Sequence, residues 1–135
     1  MEHYLSDDGV LEFWSQDIHL KSKPRPRLSK GRVIMPREYM DWKKEIKNYL
    51  LANIPQLYSR KSTLYGSTRL VLEVAYNNTR ADADNAVGGL MDAFNEVVWD
   101  DDRQVMELHV YKMPKAELTS CNFTARVYPQ VDGRN

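Results

Sequence analysis

Leu70-Val71-Leu72-Glu73-Val74-Ala75-Tyr76, followed by Asn77-Asn78-Thr79-Arg80-Ala81-Asp82-Ala83-Asp84-Asn85, is the stretch on which the fold turns. Its first half alternates Leu70, Leu72, Val74 and Tyr76 with Val71, Glu73 and Ala75, the two-residue period of a strand covered on one face. Asn77 to Thr79 are turn formers. Beyond them Val87, Leu90, Met91, Phe94 and Val98 recur at three- and four-residue spacing, which predicts a helix from about Asp84 to Val97. Downstream, Val105 to Met113 and Phe123 to Tyr128 alternate again and are expected to be two strands, paired antiparallel through the loop that contains Pro114.

Upstream, Val10 to Leu20 reads as a first strand. Lys23-Pro24-Arg25-Pro26-Arg27 cannot be helix or central strand, because its prolines remove donors and hold the preceding residues extended, so an exposed arm is expected there. Gly31 then permits a turn. Pro36 suits a first helical position, and Tyr39, Trp42, Ile46, Tyr49 and Leu50 make one apolar stripe, so a helix is predicted from about Pro36 to Ala52. Lys43, Lys44 and Lys47 fall on its other face, and Pro55 ends it. The order β-α-β-α-β-β implies an α+β, two-layer domain with two helices packed on one face of a mixed, largely antiparallel sheet. At 135 residues a single domain over residues 1–135 is expected, with loose ends at about 1–9 and 130–135.

The formal net charge is zero, which argues against a phosphate-binding surface spread over the whole molecule. The distribution argues otherwise. Between Leu20 and Lys47 ten bases face three acids, whereas from Ala81 onward five bases face ten acids. A basic arm and an acidic site in one chain suit phosphodiester cleavage, the arm holding backbone and the acids holding a cation. Lys21, Lys23, Arg25, Arg27, Lys30 and Arg32 are the candidate phosphate contacts of the arm, joined by Arg80 and Lys112. Cys121 is the only cysteine, which excludes an internal disulfide, and no apolar stretch has the roughly 18 residues a membrane span needs. The start, Met1 to Asp8, shows no basic-then-apolar leader, and a cytoplasmic, reducing compartment is expected.

Asp82-Ala83-Asp84 lies between a strand end and a helix start, and Asp100-Asp101-Asp102 follows that helix at once. Were these groups to converge, carboxylates about 4 Å apart would repel by roughly 4 kcal/mol per pair at an effective dielectric near 20, and a divalent cation would relieve the repulsion. Carboxylates without cysteine or histidine at ligand spacing favour Mg²⁺, or Mn²⁺, over zinc. A calcium loop is excluded, because Val87 and Ala93 stand where that loop needs glycine and glutamate. Plainer duties compete for each acid: Asp82 or Asp84 as a helix cap, Asp100 to Asp102 as a polar turn. His109 sits inside an alternating segment and reads as a sheet residue rather than a base, and Trp14, Trp42 and Trp99 read as core or interface anchors.

These residues carry a resemblance. Arg80-Ala81-Asp82-Ala83-Asp84-Asn85, Leu90, Asp92-Ala93-Phe94, Trp99, Asp101-Asp102, Gln104-Val105 and Lys112-Met113-Pro114 resemble the RusA family of Holliday junction resolvases, as do Pro24-Arg25-Pro26-Arg27, Gly31 and the Tyr39/Trp42 helix. The resemblance implies a homodimer that cuts four-way DNA junctions symmetrically with Mg²⁺, in recombination and repair, often encoded by phages or prophages. It implies Asp82, Asp84 and Asp102 as metal ligands and Asp101 as an accessory one. One position departs: the family's lysine, six residues past the first aspartate, is Gly88 here, followed by Gly89. Each glycine costs a helix interior roughly 1 kcal/mol, and close packing of this helix on a dimer mate is the expected reason. The departure leaves a second reading open, a module that binds branched DNA and cleaves weakly because Gly88 replaces the cation; Arg80, Arg103 and Lys112 are the candidates to substitute for that cation. A third reading keeps the nuclease chemistry but directs it at flaps or forks.

Overall fold

A computed structural model of the chain describes residues 1–24, 27–58, 63–77, 83–113 and 122–130. Five strands form the main sheet: β1 (Glu2–Leu5), β2 (Leu11–Ser15), β5 (Leu70–Tyr76), β6 (Val105–Lys112) and β7 (Phe123–Pro129). Their order is β1-β2-β7-β5-β6, and only β5 and β6 are parallel. The short strands β3 (Arg27–Ser29) and β4 (Arg32–Ile34) make a separate hairpin. Helices α1 (Arg37–Asn53) and α3 (Ala83–Phe94) pack together over the sheet, with a single helical turn, α2 (Pro55–Tyr58), after α1. This is the expected α+β architecture.

The periodicities explain the layers. Leu70, Leu72, Val74 and Tyr76 of β5 are buried toward the helices, as are Leu11 and Phe13 of β2 and Phe123, Ala125 and Val127 of β7. From above, α1 lowers Tyr39, Trp42, Ile46 and Leu50 onto them, and α3 lowers Ala86, Val87, Leu90, Ala93 and Phe94. Phe13 sits between the rings of Phe94 and Phe123, at 5.8 and 5.7 Å, and Phe94 packs edge-on to Trp99 at 5.4 Å. Each such side chain contributes about 1.5–3 kcal/mol by burial.

Several expectations need correction. Residues 2–5 are not a loose end but an edge strand, in register with β2 from Glu2 opposite Trp14 to Leu5 opposite Leu11. The first strand stops at Ser15, whose hydroxyl accepts from the backbone N–H groups of Asp17 and Ile18 and turns the chain. Helix α3 ends at Phe94, three residues early, because Glu96 adopts a left-handed φ of 68° and its N–H returns to the Trp99 carbonyl. Strands β6 and β7 are not neighbours: β5 lies between them and accepts both edges. The hairpin was foreshadowed only by Gly31. Lys30 and Gly31, at φ 51° and 76°, supply the paired positive dihedrals that a tight two-residue turn requires.

Candidate active site at the two ends of a helix

Strand β5, helix α3 and strand β6 form a parallel crossover, and this fixes where the acids go. A parallel return requires the connecting helix to run back along the sheet, so it begins beside one end of the strands and finishes beside the other. Asp84, exposed in the first turn of α3, lies toward the end of the sheet where Tyr76 pairs with Lys112. Asp101 and Asp102 lie toward the opposite end, just before Val105, which pairs with Leu70. Seven residues of β5 span about 20 Å at 3.3 Å per residue. The described acids therefore do not converge within one protomer, and among the described residues no group of three potential ligands gathers. Asp82 lies outside the described residues, as do Arg80 and Arg25.

The acids after α3 are mostly engaged in holding the backbone. Asp100 accepts a 2.6 Å hydrogen bond from the Thr63 hydroxyl, and its N–H donates to the Gly66 carbonyl. Asp101 caps the short 3-10 turn Asp102–Gln104: its carboxylate accepts from the Arg103 N–H at 2.9 Å, while its own N–H donates to Gln104 Oε1 at 2.8 Å. The Arg103 backbone N–H and guanidinium hold the Asp101 carboxyl below the usual carboxylate range. Gln104 also donates to the Gly66 and Thr68 carbonyls, both at 2.8 Å, which ties this turn to the chain entering β5. Asp102 opens the turn, half-buried.

At the other end, Asp84 accepts a 2.9 Å hydrogen bond from the backbone N–H of its neighbour Asn85. The basic arm is docked beside it. The Lys23 N–H donates to the Asn85 carbonyl at 3.1 Å, the Trp42 indole donates to the His19 carbonyl at 3.0 Å, and Leu20 is buried. Gly89 makes this possible: a β-carbon there would stand 2.0 Å from the Lys21 carbonyl oxygen. The glycine pair thus receives the chain's own arm, which replaces the expectation of packing on a dimer mate. Lys23 is exposed, as expected of the arm, although its backbone N–H is bound to α3. A β-carbon at Gly88 would meet only the Lys23 side chain, at 3.9 Å. Lys30 and Arg32 are exposed on the hairpin that continues the arm. Lys112 ends β6 at the same end of the sheet as Asp84.

The positive face expected of α1 is smaller than its sequence suggests. Lys43 turns inward to Asp92 at 3.0 Å, and Lys47 donates to the Asn95 carbonyl, so of the three lysines only Lys44 is exposed. Tyr39 also donates to Asp92, at 2.7 Å. Burial alone would raise the Asp92 carboxyl, but the Tyr39 hydroxyl and the Lys43 ammonium outweigh it and hold it below the usual range. Reasoning from sequence missed this anchor between α1 and α3. Its signal was an aspartate within an apolar helix, opposite Tyr39 and Lys43 spaced one turn apart.

The family described as Endodeoxyribonuclease RusA matches the chain over residues 17–120. No curated protein matches it. Among the described residues no helix is long and apolar enough to cross a membrane.

Proposed function

The chain belongs to the RusA family of endodeoxyribonucleases, and from that premise we propose that it cuts branched DNA, four-way junctions above all, as a homodimer using Mg²⁺ or Mn²⁺. Asp82, Asp84 and Asp102 are the proposed ligands, with Asp101 holding the turn that presents Asp102. When bound, such an ion activates water and offsets charge on phosphoryl oxygens. In a single protomer the described acids do not fit that role, so the two-fold partner has to complete it. A four-way junction has approximate dyads that an isologous dimer can match, which gives the dimer a functional reason as well.

The observation that carries the reading is the docked arm. Lys21 and Lys23 are fixed by backbone contacts against the helix whose first turn bears Asp84. Phosphate held by the arm is therefore held at a set distance from that carboxylate. The same contact speaks for catalysis over binding alone. Lys23 begins where a side chain at Gly88 would project, so the arm returns a lysine to the face that the glycine leaves bare.

Labelled four-way, forked and linear DNA, incubated with Mg²⁺ or Mn²⁺, tests this directly. Paired symmetric nicks confined to the four-way substrate are expected. Cuts in forks or flaps instead would move the substrate, and retention in a gel without nicks would leave a binding module.

A further inference from the structure

The face of the sheet turned away from the helices carries groups that cleavage does not use. Cross-strand pairing sets them in rows, since directly opposed residues share a face. Tyr4, Glu12, Arg126, Glu73 and His109 form one row across all five strands, and Glu2, Trp14, Thr124, Ala75 and Tyr111 form the next. Among the described residues no helix or strand covers them. Thr124 and Ala75 are small and stand between the larger Trp14 and Tyr111, so the sheet is hollowed there into a cleft of about 350 Å³, flanked by Glu12, Arg126 and Glu73. Clefts of roughly this size and above hold ligand groups in other proteins. Trp14 is therefore not a core residue like Trp99: it is half-buried, and its indole N–H donates to Glu2 at 2.8 Å, which fixes the ring at the cleft wall.

This face is acidic. Among its described residues Glu2, Glu12, Glu73 and Glu107 stand against Arg126 as the one permanent cation. Arg126 lies 3.7 Å from Glu12, and Glu73 accepts a 3.0 Å hydrogen bond from the Tyr128 hydroxyl. Such a surface repels phosphate, and the arm's Lys23 is bound to α3, in the other layer of the fold. A second copy laid face to face would set four glutamates against four, a like-charge juxtaposition that costs several kcal/mol. The charge instead complements a cationic partner.

We propose that the cleft receives an arginine side chain from a basic segment of another protein, its guanidinium between the rings of Trp14 and Tyr111 and its fork toward Glu73. Aromatic faces attract a cation, and a guanidinium can stack on a ring while its N–H groups bond a carboxylate. Arg126 shows that these glutamates accept a guanidinium, and it is also the competitor that an incoming arginine has to displace in part. The site goes beyond the endonuclease reading and does not depend on it: DNA is held from the helix layer, and the partner from the sheet.

Tryptophan emission of the full chain tests this, because Trp42 and Trp99 are 8 and 0% exposed and Trp14 is the tryptophan at the cleft. A blocked Gly-Arg-Gly-Arg-Gly peptide is expected to change the emission saturably, a Gly-Glu-Gly-Glu-Gly peptide to leave it unchanged, and Trp14→Phe to abolish the response. Glu73→Gln should weaken binding about 2–5-fold. Arg126→Gln, which removes the competitor, should tighten it by about the same factor. Binding should also weaken as salt rises from about 50 to about 300 mM. No response to the arginine peptide, an equal response to the glutamate peptide, or weaker binding by Arg126→Gln overturns the proposal. Emission that shifts when the protein alone is diluted would assign the face to a second copy, and a response to a thymidine oligonucleotide in place of the peptide would assign it to DNA; either overturns it as well. No readout here is cleavage, so each of these failures leaves the endonuclease reading untouched.

Discussion

The two ends of α3 carry the same residue type in opposite conditions. At its start, Asp84 is exposed beside a docked basic arm. Past its end, Asp100 and Asp101 are bound to Thr63, Gly66, Arg103 and Gln104, and half-buried Asp102 opens the turn that Asp101 caps. An aspartate that completes a backbone turn and one proposed as a metal ligand cannot be told apart by identity. Their hydrogen bonds separate them, and the first kind fixes where the second kind stands.

That contrast can be broken by mutation. The largest effect is expected for Asp84→Asn and Asp102→Asn, each lowering the cleavage rate about 10²–10³-fold or more with little change in junction affinity, since each removes charge held for the transition state. Asp82→Asn should behave in the same way. Unaltered cleavage by any of the three, measured under single-turnover conditions, would remove it from the site. Asp101→Asn should instead lower the melting temperature and reduce cleavage only in part.

Gly89→Ala comes next. Its β-carbon would collide with the Lys21 carbonyl, so either the arm lifts or α3 shifts, at about 1–3 kcal/mol of overpacking. Denaturant titration should show the loss, and junction affinity should fall with it; Gly88→Ala, with no contact closer than 3.9 Å, should show neither. A Gly89→Ala protein of full stability and affinity would mean that the arm is not held there.

A smaller effect concerns pH. The Asp92 carboxyl is lowered in the folded state, so the unfolded chain binds its proton more readily. The resulting stabilisation is present above the ordinary aspartate range and is lost as pH falls through the lowered value. Thermal melts from pH 7 down to 3 should decline below about pH 4, and Tyr39→Phe should shrink that decline. An identical profile in Tyr39→Phe would contradict the anchor.

Much of the fold was legible because burial imposes its period locally. The helix beginning at Pro36, the alternation of Leu70 to Tyr76 and the strands after Val105 and Phe123 all appear near their expected bounds. Elements held by distant partners were less visible: β1 has four residues and depends on β2, and the β3–β4 hairpin owes its turn to two dihedrals. Strand order was not encoded in alternation at all. Yet a strand, a helix and a strand in succession favour a parallel crossover, and that rule alone places residues before and after the helix at opposite ends of the sheet. The candidate acids were named from their spacing; their separation follows from topology, and the docking of Lys21 on Gly89 only from coordinates.

Mixing two inactive variants tests the joining of the two ends most directly. Asp84→Asn and Asp102→Asn proteins are unfolded together, refolded together and assayed on four-way DNA. In a mixed dimer whose sites are each completed across the two-fold axis, one site combines both substitutions and the other has neither, so single-strand nicks should return at a rate well above that of either variant alone. If the wild-type protein cleaves and the mixed dimers remain silent, each site lies within one chain and the account is wrong.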